Sequence, residues 1–191
     1  IVIENFKPGA MADMKMDYAT LAARNPRLIY ASITGFGTTG PYGGWPGVDQ
    51  IAQGMSGLMS LTGHKETGPV RVGIPIGDVV AGMWAALGTQ AAVIQRMVTG
   101  RGQLVETSLL AGLIGLLTVQ GQRQLSLGDT PGVAGNDHPV VYPYGMFEAS
   151  DGPFNMAAAT EDRRWFVQRE VARLLGQIGT PAAVPPLQVL L

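Results

Sequence analysis

The sequence predicts an α/β fold built on a parallel sheet, followed by the beginning of a smaller α+β domain. Two observations predict it. Segments with the pattern of a buried strand alternate with segments of helical spacing from Ile1 to Leu127, and this alternation is typical of a parallel sheet covered by helices. After Gly128 the chain becomes a connector rich in Pro, Gly and Asn, and a strand–turn–strand pattern follows it.

The first half of the chain contains two predicted strands and two predicted helices. Ile1–Ile3 is a short apolar strand, and Met14–Arg24 is predicted to be helical up to the terminator Asn-Pro-Arg. The clearest strand is the β-branched and aromatic segment Leu28–Gly37. It leads into Gly37–Gly47, which consists of turn-forming residues, and apolar residues at helical spacing then predict one helix from Val48.

The second half begins with an exposed loop, predicted over residues 64–73. From Val79 the apolar residues recur at helical spacing, which predicts a helix of about twenty residues with Asp78 at its head. Leu104–Leu110 is predicted to be a strand that turns into a further helix through Leu127.

The change in composition after these elements predicts the domain boundaries. Residues 1–128 are assigned to the large domain, residues 129–145 to a linker, and residues 146–191 to the beginning of a small domain. Two short strands are predicted in that small domain, around a turn at Asp151 and Gly152. Because the chain opens directly on a strand pattern and closes without a capped helix or polar tail, we expect it to be a piece of a longer protein.

The bulk composition limits the classes of function. Of the 191 residues, 46% are hydrophobic and 14% are charged, against about 25% charged in ordinary proteins, so we expect further protein to cover much of the surface. The net charge of −1, without a basic run, argues against nucleic acid as a partner. The longest apolar run, Leu109–Val119, is too short to span a bilayer. No signal peptide is visible, so we expect a cytoplasmic protein without membrane association.

Three familiar kinds of site find no support. Gly35–Gly40 matches the glycine pattern of a dinucleotide-binding loop, but Pro41 and the glycines after it forbid the helix that must begin there. The chain has no cysteine, and His64 and His138 lie in loop-like segments without carboxylates at ligand spacing, so no metal site is expected. Ser56 lacks the spacing of a nucleophile elbow.

Asp78 is the only charged residue between Gly73 and Val93, and its position leaves two interpretations. An aspartate at the head of a helix can be an N-cap that accepts hydrogen bonds from free N–H groups. It can also be a functional carboxylate that those N–H groups and the helix dipole hold in its ionised form. Position alone favours the N-cap.

Five segments of the chain match one family in their order and spacing. They are "VIENFKPGAM" (Val2–Met11), the segment Asn25–Gly63, "PIGDVVAG" (Pro75–Gly82), "TGRGQLVETSLL" (Thr99–Leu110) and "GNDHPVVYPYGMFEASDG" (Gly135–Gly152). Over residues 1–165 the sequence therefore resembles the class III coenzyme A transferases, which include formyl-CoA transferase, the carnitine CoA-transferases and the α-methylacyl-CoA racemases. The resemblance implies a Rossmann-like large domain, a longer parent chain and a homodimer of interlocked chains.

The resemblance also implies a mechanism and a set of site residues. The nucleophile of these transferases is the carboxylate that precedes the long helix, which corresponds to Asp78. It is expected to attack an acyl-CoA thioester and form an anhydride, and then to carry CoA as an aspartyl thioester until an acceptor acid removes it. The substrates implied are an acyl-CoA and a small carboxylic acid, with no permanently bound cofactor. The residues implied to line the CoA site are Asn5, Phe6, Lys7, Gly47, Val48 and Asp49.

Val48 separates two activities within this family. The racemases carry a histidine immediately before the aspartate, and this chain has Val48 at that place. A valine cannot move a proton, so CoA transfer is favoured over racemisation of a 2-methylacyl-CoA. A racemase-type isomerase is one alternative, and a catalytically silent domain that binds CoA or a partner chain is the other.

Overall fold

The computed structural model describes residues 1–139 and 141–157. They belong to two compact units that divide between Val133 and Ala134. The elements of the first unit are, in chain order, β1 (Val2–Glu4), α1 (Ala10–Asp13), α2 (Tyr18–Arg24), β2 (Tyr30–Thr34), α3 (Asp49–Met55), α4 (Leu58–Leu61), β3 (Gly63–His64), β4 (Gly68–Pro69), α5 (Ile76–Thr99), β5 (Leu104–Ser108), α6 (Leu109–Leu116) and α7 (Thr118–Leu127).

A three-stranded parallel sheet organises the first unit and confirms the predicted α/β class. β2 lies in the centre and pairs with β1 on one side and β5 on the other. In this register Glu4 lies opposite Ser32, and Thr34 lies opposite Ser108. The three strands therefore end at the same edge of the sheet, which in open α/β folds is the edge that holds ligands.

The core of this unit forms where three helices meet the end of the central strand. Its buried residues come from the segment after β2, from α3, from α5 and from α6, and they are Phe36, Ala52, Ala81, Leu109 and Leu113. Ile33 and Ile76 are partly buried and pack against this cluster. The first turn of α5 is therefore anchored to the core that also supports α3 and α6.

α5 is the longest helix among the described residues, with 24 residues. By length and composition alone it could cross a membrane, since an 18-residue window has a mean hydropathy of 1.2, and 28% of that window is buried. The core helix of a globular domain meets the same criteria. α5 packs against β2, β5, α3 and α6, and small residues such as Ala81, Ala85 and Ala92 form its buried face.

Three predicted helices differ from the observed ones at backbone positions with positive φ. The predicted helix Met14–Arg24 is wrong in its first turn, because Lys15 has a φ of 57° and Asp17 caps α2 by accepting from the Thr20 N–H at 3.0 Å. The helix predicted from Val48 is interrupted at Gly57, where φ is 87° and α4 begins anew. The helix that ends at Leu127 is split at Thr118, where φ is 45°.

Two further boundaries shift by a few residues. The strand predicted over Leu104–Leu110 ends at Ser108, because its hydroxyl oxygen accepts from the Ala111 N–H at 3.1 Å and starts α6. The loop predicted over residues 64–73 contains most of a small hairpin, in which the two-residue strands β3 and β4 pair in antiparallel orientation.

In the second unit the described residues form one antiparallel hairpin. β6 (Tyr144–Ala149) pairs with β7 (Gly152–Ala157), so that Ala149 lies opposite Gly152 across the turn. The rings of Phe147 and Phe154 lie side by side, with centroids 5.9 Å apart. The predicted pair of strands is confirmed here, while residues 158–191 of the predicted small domain lie outside the described residues.

Candidate active site

The segment after β1 forms an exposed turn at the carboxyl edge of the sheet. Asn5, Phe6 and Lys7 are all exposed, and the Phe6 N–H donates to a carboxylate oxygen of Glu4 at 2.9 Å. The other Glu4 oxygen accepts from the hydroxyl of Ser32, its neighbour on β2. The Glu4 side chain therefore fixes the direction in which the chain leaves the sheet, and the three predicted CoA-site residues project into solvent from a held turn.

Two glycines bring the loop after β2 back to the end of that strand. A Cβ added to Gly35 would lie 2.6 Å from the Gly47 Cα, and a Cβ added to Gly47 would lie 2.8 Å from the ring of Phe36. Only glycine permits this approach, because real Cβ atoms are not found at such distances. The close passage places Gly47, Val48 and Asp49 at the carboxyl end of the central strand.

Asp49 joins the start of α3 to the start of α5. One of its carboxylate oxygens accepts from the Gly77 N–H at 2.7 Å, and the other accepts from the Gln53 side-chain amide at 2.7 Å. The N-terminal N–H groups of a helix have no partner within the helix. The N-cap residue of α5 is Pro75, whose side chain makes no capping hydrogen bond. Asp49, at the start of α3, therefore caps α5 in its place.

Asp78 is the third residue of α5, directly after the Gly77 that Asp49 holds. The N-cap interpretation is wrong, because Pro75 occupies that position. The expected hydrogen bonds from the helix N-terminus to Asp78 are also absent among the described residues: the Gly77 N–H donates to Asp49, and the Val79 N–H donates to the Pro75 carbonyl at 3.1 Å. Asp78 is exposed, and no described residue hydrogen-bonds to its carboxylate.

The surroundings of Asp78 make its carboxylate less stable than that of a free aspartate. Although the residue as a whole is exposed, its carboxyl group is partly withdrawn from water, and this burial raises the pKa of Asp78 above its ordinary value of 3.8. The negative charge of Asp49 is the second cause of the raised pKa. An aspartate that is exposed, unpartnered and destabilised as an anion has the character of a reactive carboxylate.

Gln53 is the site residue that the sequence analysis did not identify. It is fully buried in α3, and its amide is hydrogen-bonded at both ends, to Asp49 and to the segment that precedes α5. A signal for it was present in the sequence, since Asp49 and Gln53 are four residues apart, the spacing at which side chains meet on a helix.

The other predicted site residues make no hydrogen bond to Asp78 among the described residues. Val48 precedes Asp49 with 64% of its surface exposed, and it offers no group that could transfer a proton. No hydrogen bond, ion pair or ring contact in the described ranges links Asn5, Phe6 or Lys7 to Asp49 or Asp78. In the same part of the chain no group of three or more His, Asp or Glu side chains is placed to hold a metal ion.

Comparison with known proteins decides the family. The sequence model of CoA-transferase family III matches residues 1–183. The chain belongs to this family. Among its relatives, the succinate–glutarate CoA-transferase of Agrobacterium fabrum is 40% identical over 176 residues, which are 92% of this chain and 43% of that protein. The succinyl-CoA:mesaconate CoA-transferase of Haloarcula hispanica is 40% identical over 169 residues, 86% of this chain and 42% of that protein.

Solved structures agree with this membership of family III. The crystal structure of a CaiB/BaiF family protein from Brucella suis superposes with a TM-score of 0.76 and is 36% identical; the match covers 92% of this chain and 52% of that one. The family III chain described here thus spans less than half the length of the two curated relatives.

Proposed function

We propose that the intact protein transfers CoA between carboxylic acids and that Asp78 is its nucleophile. One observation carries the proposal: in a member of CoA-transferase family III, the exposed residue Asp78 lies in the first turn of α5, beside Asp49, and its partly buried carboxylate has no hydrogen-bond partner among the described residues. Covalent catalysis by an aspartate requires a carboxylate that is accessible and not neutralised by a structural partner. Asp78 has this property, whereas Asp49 is engaged by two donors.

The proposed reaction has four steps, each of which exchanges one acyl bond for another. The Asp78 carboxylate attacks the thioester carbonyl of the donor acyl-CoA, giving a mixed anhydride and the CoA thiolate. The thiolate then attacks the aspartyl carbonyl of the anhydride, which releases the donor acid and leaves CoA on Asp78 as a thioester. The acceptor carboxylate attacks this thioester, forming a second anhydride and freeing the thiolate. The thiolate finally attacks the acceptor carbonyl, and both the acceptor-CoA and the Asp78 carboxylate are released.

The other predicted residues have binding roles in this proposal. Asn5, Phe6 and Lys7 lie on the held turn at the end of β1, where an exposed lysine ammonium suits a CoA phosphate and an exposed phenyl ring, 56% accessible, suits the adenine or pantetheine. Gly47 and Val48 form the corner beside the reacting thioester. No resident cofactor or metal has a role in these steps.

We further propose that the acids exchanged are dicarboxylic. The two relatives described above are named for succinate, glutarate and mesaconate, which are all of this class. A homodimer is the proposed assembly, supported by the apolar residues that the described helices leave exposed. Racemisation is not proposed, because Val48 takes the place of the proton-transferring histidine.

A transfer assay on the intact protein tests this function. With succinyl-CoA as donor and glutarate or mesaconate as acceptor, the wild-type protein is expected to form the acceptor-CoA. Asp78→Ala removes the nucleophile and should lower kcat by about 10⁴-fold or more, while Asp13→Ala, which removes an exposed aspartate in α1, should have no effect. Transfer at the wild-type rate by Asp78→Ala would contradict the proposal.

A further inference from the structure

Gln53 is a polar residue at a fully buried position, where an apolar side chain is usual. It is 0% exposed and follows Ala52 of the core cluster in α3. Burying a side-chain amide is costly unless its groups are hydrogen-bonded, and here they are. The amide nitrogen donates to Asp49 at 2.7 Å and to the Ile74 carbonyl at 3.4 Å, and the amide oxygen accepts from the Val72 N–H at 2.8 Å.

These bonds connect Gln53 to the nucleophile by two routes. The first runs through Asp49, whose second oxygen accepts from the Gly77 N–H, adjacent in sequence to Asp78. The second runs through residues 72–74, which lead directly into the N-cap of α5 at Pro75. A buried polar network with all its members satisfied is rigid, so both the cap and the entry segment of α5 are held by one amide.

We propose that Gln53 is a positioning residue for CoA transfer: through Asp49 it holds the first turn of α5 so that Asp78 points at the thioester carbon. This inference rests on the proposed function, because it assigns to Gln53 the orientation of the proposed nucleophile. Gln53 itself touches no substrate in this account. A misplacement of the reacting group by about 1 Å can cost a rate factor of about 100, which makes the orientation of Asp78 a sensitive quantity.

The competing explanation is that Gln53 only fastens residues 72–74 to α3. Two variants separate the explanations in the intact protein. Gln53→Met keeps an unbranched side chain of similar volume and loses every hydrogen bond. Gln53→Glu keeps an acceptor for the Val72 N–H, but its carboxyl can donate to Asp49 only when it is protonated. Asp49 is hydrogen-bonded to Gln53, Asp78 lies beside Asp49, and the guanidinium of the exposed Arg71 donates to the Val72 carbonyl at 3.0 Å.

The transfer assay is expected to give a different result for each variant. Gln53→Met should lower kcat by about 10- to 100-fold with little change in the KM for the acyl-CoA. Gln53→Glu should lose activity relative to wild type as the pH rises, because the ionised new carboxylate repels Asp49 and pushes it away from Gly77. If Gln53 only fastened residues 72–74, the ratio of Gln53→Glu activity to wild-type activity would not change with pH, because the glutamate still accepts from the Val72 N–H.

Asp17→Ala is the matched control, because it removes the cap of α2, and among the described residues the Asp17 side chain hydrogen-bonds to Thr20 and to no site residue. It should lose stability and keep the wild-type kcat. Wild-type kcat in Gln53→Met, or a flat pH ratio in Gln53→Glu, would overturn the inference while leaving the proposed function intact.

A readout that needs no activity keeps the two proposals distinguishable. The carboxyl carbon of Asp78 can be titrated by NMR, with its signal assigned from Asp78→Asn. In Gln53→Met the midpoint should move to lower pH, because Asp49 is no longer held beside Asp78. If the wild-type protein transfers no CoA, the proposed function fails, and an unchanged midpoint in Gln53→Met would then overturn the role of Gln53 by itself.

Discussion

At Asp78, two effects act against the ionised state that an attacking carboxylate needs. Partial burial and the charge of Asp49 both raise its pKa, while the helix dipole favours the anion. Because the folded protein favours the neutral carboxyl, the contribution of Asp78 to stability is present below pH 3.8 and is lost as the pH rises through the raised pKa. At neutral pH the ionised Asp78 therefore lowers the stability of the fold, which is the behaviour expected of the nucleophile proposed here.

The raised pKa of Asp78 predicts how the activity of the intact protein depends on pH. Only the carboxylate attacks the thioester, so kcat/KM should fall on the acid side with a midpoint above 3.8, the ordinary value for aspartate. Asp49→Asn removes the neighbouring charge and should move this acid limb to lower pH, because the pKa of Asp78 then falls. Asp13→Asn, an exposed aspartate in α1, is the control and should leave the limb in place. An acid limb that does not respond to Asp49→Asn would contradict the coupling of the two aspartates.

At the scale of the elements, the start of α5 depends on a close contact with α3 and α6. A Cβ on Gly77 would lie 3.0 Å from a carboxylate oxygen of Asp49 and 3.1 Å from a methyl group of Leu113. These distances are shorter than nine in ten contacts of real Cβ atoms, so one neighbour has to move by a few tenths of an ångström. Glycine at position 77 is therefore favoured by the packing of three helices, and not by its own backbone angles.

Two glycines of α5 form a matched pair that tests this packing. Gly82→Ala adds a methyl group with nothing within 4 Å and should stabilise the protein by about 0.5–1 kcal/mol, since alanine favours the helix. Gly77→Ala should lack this gain, because the methyl group displaces Asp49 or Leu113, and it should also lower kcat. Denaturant unfolding and the transfer assay measure both. Equal stabilisation by the two variants, with full activity, would show that the contact at Gly77 is not tight.

The elements also show how far sequence reasoning reaches. The strands β1, β2 and β5 and the helix α5 could be predicted, because their apolar spacing is local. The interruptions at Gly57 and Thr118 could not, since both segments keep helical spacing on either side of a residue with positive φ. Asp49 and Asp78 could be singled out as candidates from family motifs, whereas the hydrogen bonds from Gln53 to residues 72–74 depend on the packing of α3 against α5, which no local pattern contains.

At the scale of the whole molecule, the first unit leaves large apolar side chains exposed on several helices, with the most exposed ones on α5 and α7. On α5 they are Val79, Met83, Trp84, Leu87, Ile94, Met97 and Val98, and on α7 they are Val119, Leu125 and Leu127. Monomeric soluble proteins rarely expose apolar patches larger than a few hundred Å². The low content of charged residues, 14%, also indicates that further protein covers these faces.

These faces lead to a prediction about assembly. We expect the intact protein to be a stable dimer with an interface well above the ~1,600 Å² of a standard complex, and we expect residues 1–191 alone to self-associate. Light scattering with size-exclusion chromatography measures both. Met97→Gln, at a residue 81% exposed on α5, should reduce the self-association of the isolated residues 1–191. A monodisperse monomer of 20.1 kDa with a cooperative melt would contradict this account of the exposed faces.

In the proposed mechanism Asp78 itself carries the acyl group and then CoA. Incubating the intact protein with succinyl-CoA and hydroxylamine, and mapping the modified residue by peptide mass spectrometry, examines this covalent role. Hydroxylamine attacks an aspartyl anhydride or thioester at its carbonyl carbon and leaves a hydroxamate on the aspartate. We expect a hydroxamate on the peptide that contains Asp78, dependent on succinyl-CoA and absent from Asp78→Ala. An unmodified Asp78 during turnover, or a hydroxamate on Asp49 instead, would contradict it.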